Sequence, residues 1–197
     1  FINKYSLGTE IKSAKWESSG TSLSTRVITG DKSVLGSVVW GKSKGIDPCN
    51  LGVYNTPQLL ALLSVVGDDI DFKLLRMSDK FVSVDLKDNQ HGTISKYMLS
   101  DLSVIPDPPA LKRLPEFQTK VKLDSNFIDT FIKGKGALAD VDMFTFVNDT
   151  DGNLNAVIGY SSTNTNRVNI PVETTKNGLT EPVTFNANLF KEMLVAN

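Results

Sequence analysis

A strand, a cap and an amphipathic helix recur three times along this chain, and that grammar limits what it can fold into. In Val53–Val66 (VYNTPQLLALLSVV) a short strand leads to Thr56 as N-cap and Pro57 at the first helical position, where its missing N–H costs nothing. Leu59, Leu60 and Leu63 lie three, four and seven residues past that cap, with Leu62 beside them, and make one apolar helix face. VKLDSNFIDTFIKG repeats the pattern with strand Val121–Leu123, cap Asp124, and Phe127, Ile128, Phe131 and Ile132. VTFNANLFKEMLVAN repeats it again with strand Val183–Phe185, cap Asn186, and Leu189, Phe190, Met193 and Leu194. In the second and third copies the apolar offsets are identical. The caps fall roughly 60–70 residues apart, too far for a short-period solenoid and suited to subdomains of one helix and several strands.

The segments between the helices read as antiparallel strands. Leu23, Thr25 and Val27 alternate with Ser24 and Arg26, and the turn Thr29–Lys32 returns the chain as Val34–Trp40. Phe1–Tyr5 has helical spacing with Gly8 past its end, Lys12–Trp16 reads as extended, and Gly41–Asn50 reads as loop. After the first full helix, which ends near Gly67, Phe72–Leu75, Phe81–Leu86 and Thr93–Leu99 form a meander. Pro106, Pro108, Pro109 and Pro115 make the stretch from Leu99 to Phe117 a semi-rigid connector. The next helix runs from Asp124 to about Lys133, where Gly134-Lys135-Gly136 ends or bends it. Val141–Val147 and Leu154–Tyr160 pair through a hairpin at Asp151-Gly152, followed by a short strand Val168–Val172 and a turn at Lys176–Gly178. The expected class is α+β, with a first domain over 1–105, a connector over 106–117 and a second domain over 118–197.

Composition narrows the chemistry. Lys and Arg number 21 against 22 Asp and Glu, a net charge of −1, so any nucleic-acid contact is local, weak, or multiplied by oligomerisation. Cys49 is the single cysteine, which rules out an intrachain disulfide and fits a reducing compartment. No apolar run reaches the roughly 18 residues of a membrane span. Ser18-Ser19-Gly20 and Gly134-Lys135-Gly136 do not match a phosphate loop, and His91, beside Gly92 in a turn, has no triad pattern around it. Asp68, Asp69 and Asp71 are hard ligands suited to Mg²⁺ or Ca²⁺, but a solvated loop is the simpler reading. Asp149, Asp151 and Asn153 imitate part of a calcium loop without its terminal Glu and read as a hairpin turn. The expectation is therefore no cofactor, no metal and no enzyme.

LGVYNTPQLLALLSVVGDD resembles the middle of the first domain of the T4-type bacteriophage DNA polymerase sliding clamp. The Pro-containing connector with VKLDSNFIDTFIKGKGAL, and VTFNANLFKEML, resemble that family's connector, third helix and start of the last helix, in the same order over nearly the whole chain. Clamps carry no catalytic signature, so the resemblance rests on joint order. It implies a DNA-clamp fold of two similar domains whose helices line a channel and whose antiparallel sheets form the outside. It implies a homotrimeric ring around duplex DNA in the cytoplasm of the infected bacterial host, opened by a clamp loader and tethering the replicative polymerase. Against that family the chain starts late, before Phe1, and lacks the strands expected after the last helix, leaving the second domain incomplete.

On this resemblance Lys133 and Lys135 at the end of the third helix, Lys191 in the last, and Lys4 in the first are channel residues that touch phosphates without reading bases, with Lys12 and Lys15 as weaker candidates. The plainer reading has lysines near helix ends solvating a surface and favouring the helix dipole. Lys112 and Arg113 in the connector are plain surface as easily as contacts. Leu102, Val104 and Ile105 are candidates for a partner's hydrophobic anchor, or for the core. The competing functional class is a β-rich phage structural or protein-binding module with no DNA role.

Overall fold

The computed structural model describes residues 1–41, 46–110, 113–163 and 165–196. The chain divides into two units, residues 1–110 and 111–197, so the division falls inside the predicted connector. Every strand pair in both units is antiparallel and the helices are few, an α+β architecture. No helix among the described residues is long and apolar enough to cross a membrane.

The first unit runs α1 (Ile2–Ser6), β1 (Ala14–Ser18), β2 (Leu23–Ile28), β3 (Leu35–Trp40), β4 (Cys49–Val53), α2 (Thr56–Leu63), β5 (Ile70–Met77), β6 (Lys80–Asp88) and β7 (Ile94–Met98). One sheet has the order β3-β2-β1-β4, and the predicted meander is a second sheet, β5-β6-β7. Alternation in β1 and β2 buries Ala14, Trp16, Leu23 and Val27 on one face. Leu7, at φ 45°, closes α1 in the left-handed region, with Gly8 at φ 72° behind it. The two sheets meet where Ser100 N–H donates to Gly52 O at 2.9 Å. A Cβ on Gly52 would lie 2.3 Å from Ser100 O, so only glycine admits this approach.

The N-terminus of α2 is held from three sides. Its cap is Asn55, not the predicted Thr56: Asn55 Oδ1 accepts from Gln58 N–H at 3.0 Å, which puts Pro57 at the second helical position. Thr56 is fully buried and committed elsewhere. Its N–H donates to Lys12 O at 2.8 Å, and its Oγ1 lies 3.3 Å from Tyr5 Oη. Trp16 Nε1 donates to the same Tyr5 oxygen at 3.1 Å. Tyr97 Oη, from β7, accepts from Asn55 N–H at 2.9 Å. The rings of Phe1, Tyr5 and Trp16 meet edge to face with centroids 5.5–6.3 Å apart.

The second unit runs β8 (Lys120–Lys122), α3 (Ser125–Ala137), β9 (Met143–Asn148), β10 (Leu154–Ile158), β11 (Val168–Pro171), β12 (Glu173–Lys176), β13 (Val183–Asn186) and α4 (Ala187–Val195). Its main sheet has the order β11-β10-β9-β13, with β8 and β12 paired separately. Asp124 and Asn186 cap α3 and α4 through Phe127 N–H at 2.7 Å and Leu189 N–H at 2.9 Å, as predicted. The core is a phenylalanine cluster in which Phe131 meets Phe144 at 4.9 Å and Phe190 at 5.0 Å.

Two sequence expectations change here. Helix α3 does not stop near Lys133 but continues to Ala137. Gly134 is a packing glycine: a Cβ there would lie 3.1 Å from Val168 Cγ1 and 3.3 Å from Ile158 Cδ1, so its absence lets α3 settle onto β10 and β11. The three-copy repeat becomes a two-copy one. Helix, three strands, a returning strand and a second helix recur as α1–β1–β2–β3–β4–α2 and α3–β9–β10–β11–β13–α4, with matching sheet orders. Helices α2 and α4 correspond, and each follows its returning strand through an asparagine cap. In the first unit the meander follows α2; no described strand follows α4.

Replacing Gly134 by Val should cost about 1–3 kcal/mol through overpacking. Gly136→Ala, into open space on the same helix, should gain about 0.5–1 kcal/mol. Urea unfolding of the two variants tests both signs. Burial pushes the Tyr5 phenol up to about 12, against the hydrogen bonds from Thr56 and Trp16 that pull it down. Its folded pKa lies above its unfolded value, so its contribution to stability is complete below about pH 10. That contribution fades as pH rises toward 12. Ultraviolet phenolate titration of wild type and Tyr5→Phe should show one late-ionising tyrosine disappear with the substitution.

Candidate functional site

The residues named from sequence divide sharply once their surroundings are known. Lys4 is exposed in α1, and Lys12 is exposed in the segment before β1, where its carbonyl serves the α2 anchor. Lys15 stands directly across from Arg26 on β1 and β2, a like-charge pair. Asp107 relieves it, with Lys15 Nζ 2.6 Å from Asp107 Oδ1. That lysine holds the start of the proline-rich segment and is not a free cation.

Lys133 is exposed on α3. Lys135 is corrected from channel residue to helix cap: only 5% of it is exposed, and its Nζ donates to Ala139 O at 2.7 Å and Leu138 O at 3.5 Å. These contacts place a cation at the negative end of α3 and help carry the helix through two glycines. Lys191 is half-exposed, 3.9 Å from Glu192. Arg113 is exposed, and Lys112 lies outside the described residues.

Within each unit the two helices pack on each other. Their outer faces carry little net charge. In α2, TPQLLALL holds no ionisable residue, and its exposed positions include Gln58 and Ala61. In α3 exposed Asp129 sits one turn before Lys133, and in α4 Lys191 neighbours Glu192. Amides complete these faces, at Asn3, Gln58, Asn126 and Asn188, all exposed. Lysine counting overlooks both the acids and the amides; the helical spacing of Asp129 and Lys133 was the available signal.

The anchor candidates also separate. Asp101 caps a 3₁₀ turn, Leu102–Val104, by accepting from Ser103 N–H at 3.0 Å. The hydrogen bond from Lys80 Nζ, at 2.5 Å, is the foremost cause holding the Asp101 carboxyl well below the usual carboxylate range, with Ser103 next. Within this turn Val104 is exposed and Leu102 half-buried, whereas Ile105 is a core residue at 3% exposure. Only Val104 and part of Leu102 remain on offer to a partner.

The other polar groups are occupied locally. Asn89 Nδ2 donates to Asp69 at 3.3 Å and Asp71 at 3.2 Å. Asp149 accepts from the N–H groups of Asp151 and Asn153, a closed hairpin turn. Asp88 is buried in the β6–β7 turn and depressed foremost by the Gln90 N–H, then by His91, whose Nδ1 lies 2.9 Å away. Cys49 is half-buried, and burial, then Asp47, pushes its thiol up, away from a reactive thiolate. Among the described residues no group of three or more His, Cys, Asp or Glu side chains converges on a metal position. No protein-family model matches the sequence. No curated protein matches it at a significant level.

Lys135→Met should cost about 1–3 kcal/mol of stability, because the Leu138 and Ala139 carbonyls just past α3 lose their donor. Lys133→Met should stay within about 0.5 kcal/mol of wild type. Thermal melts of the two variants read the difference between a capping lysine and a surface one.

Proposed function

We propose that this chain is a subunit of a DNA sliding clamp of the T4-type phage class, a homotrimeric ring that encircles duplex DNA and tethers the replicative polymerase. The observation that carries the reading is the repeated unit, in which paired helices are backed by antiparallel sheet in the same strand order twice within one chain. A protein that presents like helix faces from like units is suited to surround a helical ligand with repeated, equivalent contacts. The order of family-like segments along the sequence supports the same reading.

The work of such a ring is topological. Closure turns each polymerase dissociation into an encounter at high effective concentration, with no chemical step in the clamp itself. A clamp loader supplies the ATP hydrolysis. Lys4, Lys12, Lys133 and Lys191 are the lysines left to meet phosphates, and contacts this sparse permit sliding where a dense cationic lining would hold the duplex in place. Val104 and the exposed part of Leu102 offer a small apolar foothold for a partner's anchor.

The second reading, a β-rich phage structural or protein-binding module without a DNA role, is favoured by one observation: acids and amides offset the lysines on the helix faces. Light scattering across a concentration series separates the two. The clamp reading expects a stable species near three times 21.5 kDa, which nicked circular DNA retains through gel filtration and linear DNA does not. A monomer at every concentration, indifferent to DNA topology, gives the chain to the second reading.

A further inference from the structure

The meander β5-β6-β7 buries one face and turns the other outward. Cross-strand register fixes which residues share that outer face. Lys73, Asp85 and Lys96 form one row, Leu75, Ser83 and Met98 the next, and Asp71, Lys87 and Ile94 the third. Val84, Leu86 and Tyr97 point the other way and are buried. On the outer face Ile94 is 63% exposed and Met98 62%, one on either side of Lys96 along β7. Lys73, Lys87 and Lys96 are exposed among them.

The face carries three lysines against two aspartates, a small cationic excess. Asp71 accepts from Asn89 Nδ2 at 3.2 Å and keeps its charge. Asp85 is half-buried and forms an ion pair with Lys96, whose Nζ lies 3.6 Å from its Oδ1, so Lys96 is partly neutralised. Lys73 and Lys87 make no ion pair among the described residues. Two large apolar side chains exposed beside two lysines without ion pairs are complementary to a ligand that carries both carboxylates and apolar groups.

We propose that the outer face of β5-β6-β7 docks an acidic peptide segment bearing apolar side chains, contributed by a partner protein, with Lys73 and Lys87 meeting its carboxylates and Ile94 and Met98 its apolar anchors. A nucleic acid fits less well. Phe81 lies half-buried beneath the Arg76 guanidinium, 5.7 Å from its ring centroid, so no free aromatic plane stands among these lysines for a base to stack on. The surface is separate from the helix faces and stands whether or not the chain closes a ring.

The test is fluorescence anisotropy on the full chain with a labelled peptide in which Asp and Glu alternate with Leu. Controls are its Asn/Gln analogue, its Ser-for-Leu analogue and a single-stranded oligonucleotide. Wild type is expected to bind the acidic apolar peptide in a salt-dependent manner and each peptide analogue more weakly. The pair Lys73→Glu and Lys87→Glu, and separately the pair Ile94→Ser and Met98→Ser, should each weaken binding about tenfold or more. Melting curves must match wild type; if the charge reversals disturb folding, Lys73→Gln and Lys87→Gln replace them. Failure of wild type to bind the peptide, or equal binding by both variant pairs, overturns the proposal. Oligonucleotide binding that falls with the lysine changes and ignores the Ile94 and Met98 changes also overturns it, in favour of a nucleic-acid surface.

Discussion

The first unit depends on a knot of polar groups buried at the start of α2. Thr56, Tyr5, Trp16 and Tyr97 come from two helices and two sheets, and their donors and acceptors are spent on one another or on the adjoining backbone. A helix N-terminus leaves four N–H groups without intrahelical partners, and leaving such groups unpaired in a core is costly. Here Asn55 takes one and Lys12 O takes another. The same contacts fix α1 beside α2 and fix the meander to both, because Tyr97 reaches from β7. Hydrophobic burial supplies the driving force, but these bonds decide which of several compact arrangements is adopted.

The second unit reaches the same topology without that knot. Its helices close on an aromatic cluster, Phe127, Phe131, Phe144 and Phe190, where edge-to-face geometry and packing glycine Gly134 set the fit. What the two units share is local and backbone-borne: a returning strand, an asparagine cap and a helix, with one strand order. Side-chain chemistry in the two cores differs while the strand order repeats.

That contrast accounts for what the sequence disclosed. Asp124 and Asn186 were legible as caps because the cap bond is made within four residues. Asn55 was not, because Thr56 is as good a cap by type, and only its distant partners, Tyr5 and Lys12, remove it from that role. The strands around Leu23 and Phe81 were legible from alternation, and the one starting at Leu154 from the hairpin signal at Asp151-Gly152. Strand β12 was not, since Glu173–Lys176 is polar and pairs with β8, some fifty residues earlier in the chain. Lys135 and Lys133 look alike in sequence, two lysines beside glycines near a helix end. Burial alone separates a lysine that caps carbonyls from one that faces water. The site candidates were therefore legible as residue types and illegible as environments.

Charge balance on the helix faces bears on how a ring of this chain would hold DNA. Each phosphate neutralised by a lysine releases counterions, so a strongly basic lining gives affinity that falls steeply with salt. A face in which Asp129 stands near Lys133 and Glu192 near Lys191, with amides between, gains little from that release and loses little as salt rises. Retention would then rest on closure of the ring and not on the depth of an electrostatic well, and friction against the duplex would be low. In such a ring the demand would shift from the helix faces to the sheet edges, where strand β3 and strand β13 carry exposed Val39, Trp40, Val183 and Phe185. Among the described residues these edges are unpaired, and a closed assembly would find its strength there, because apolar side chains are already out of the core and unpaired backbone groups already face outward.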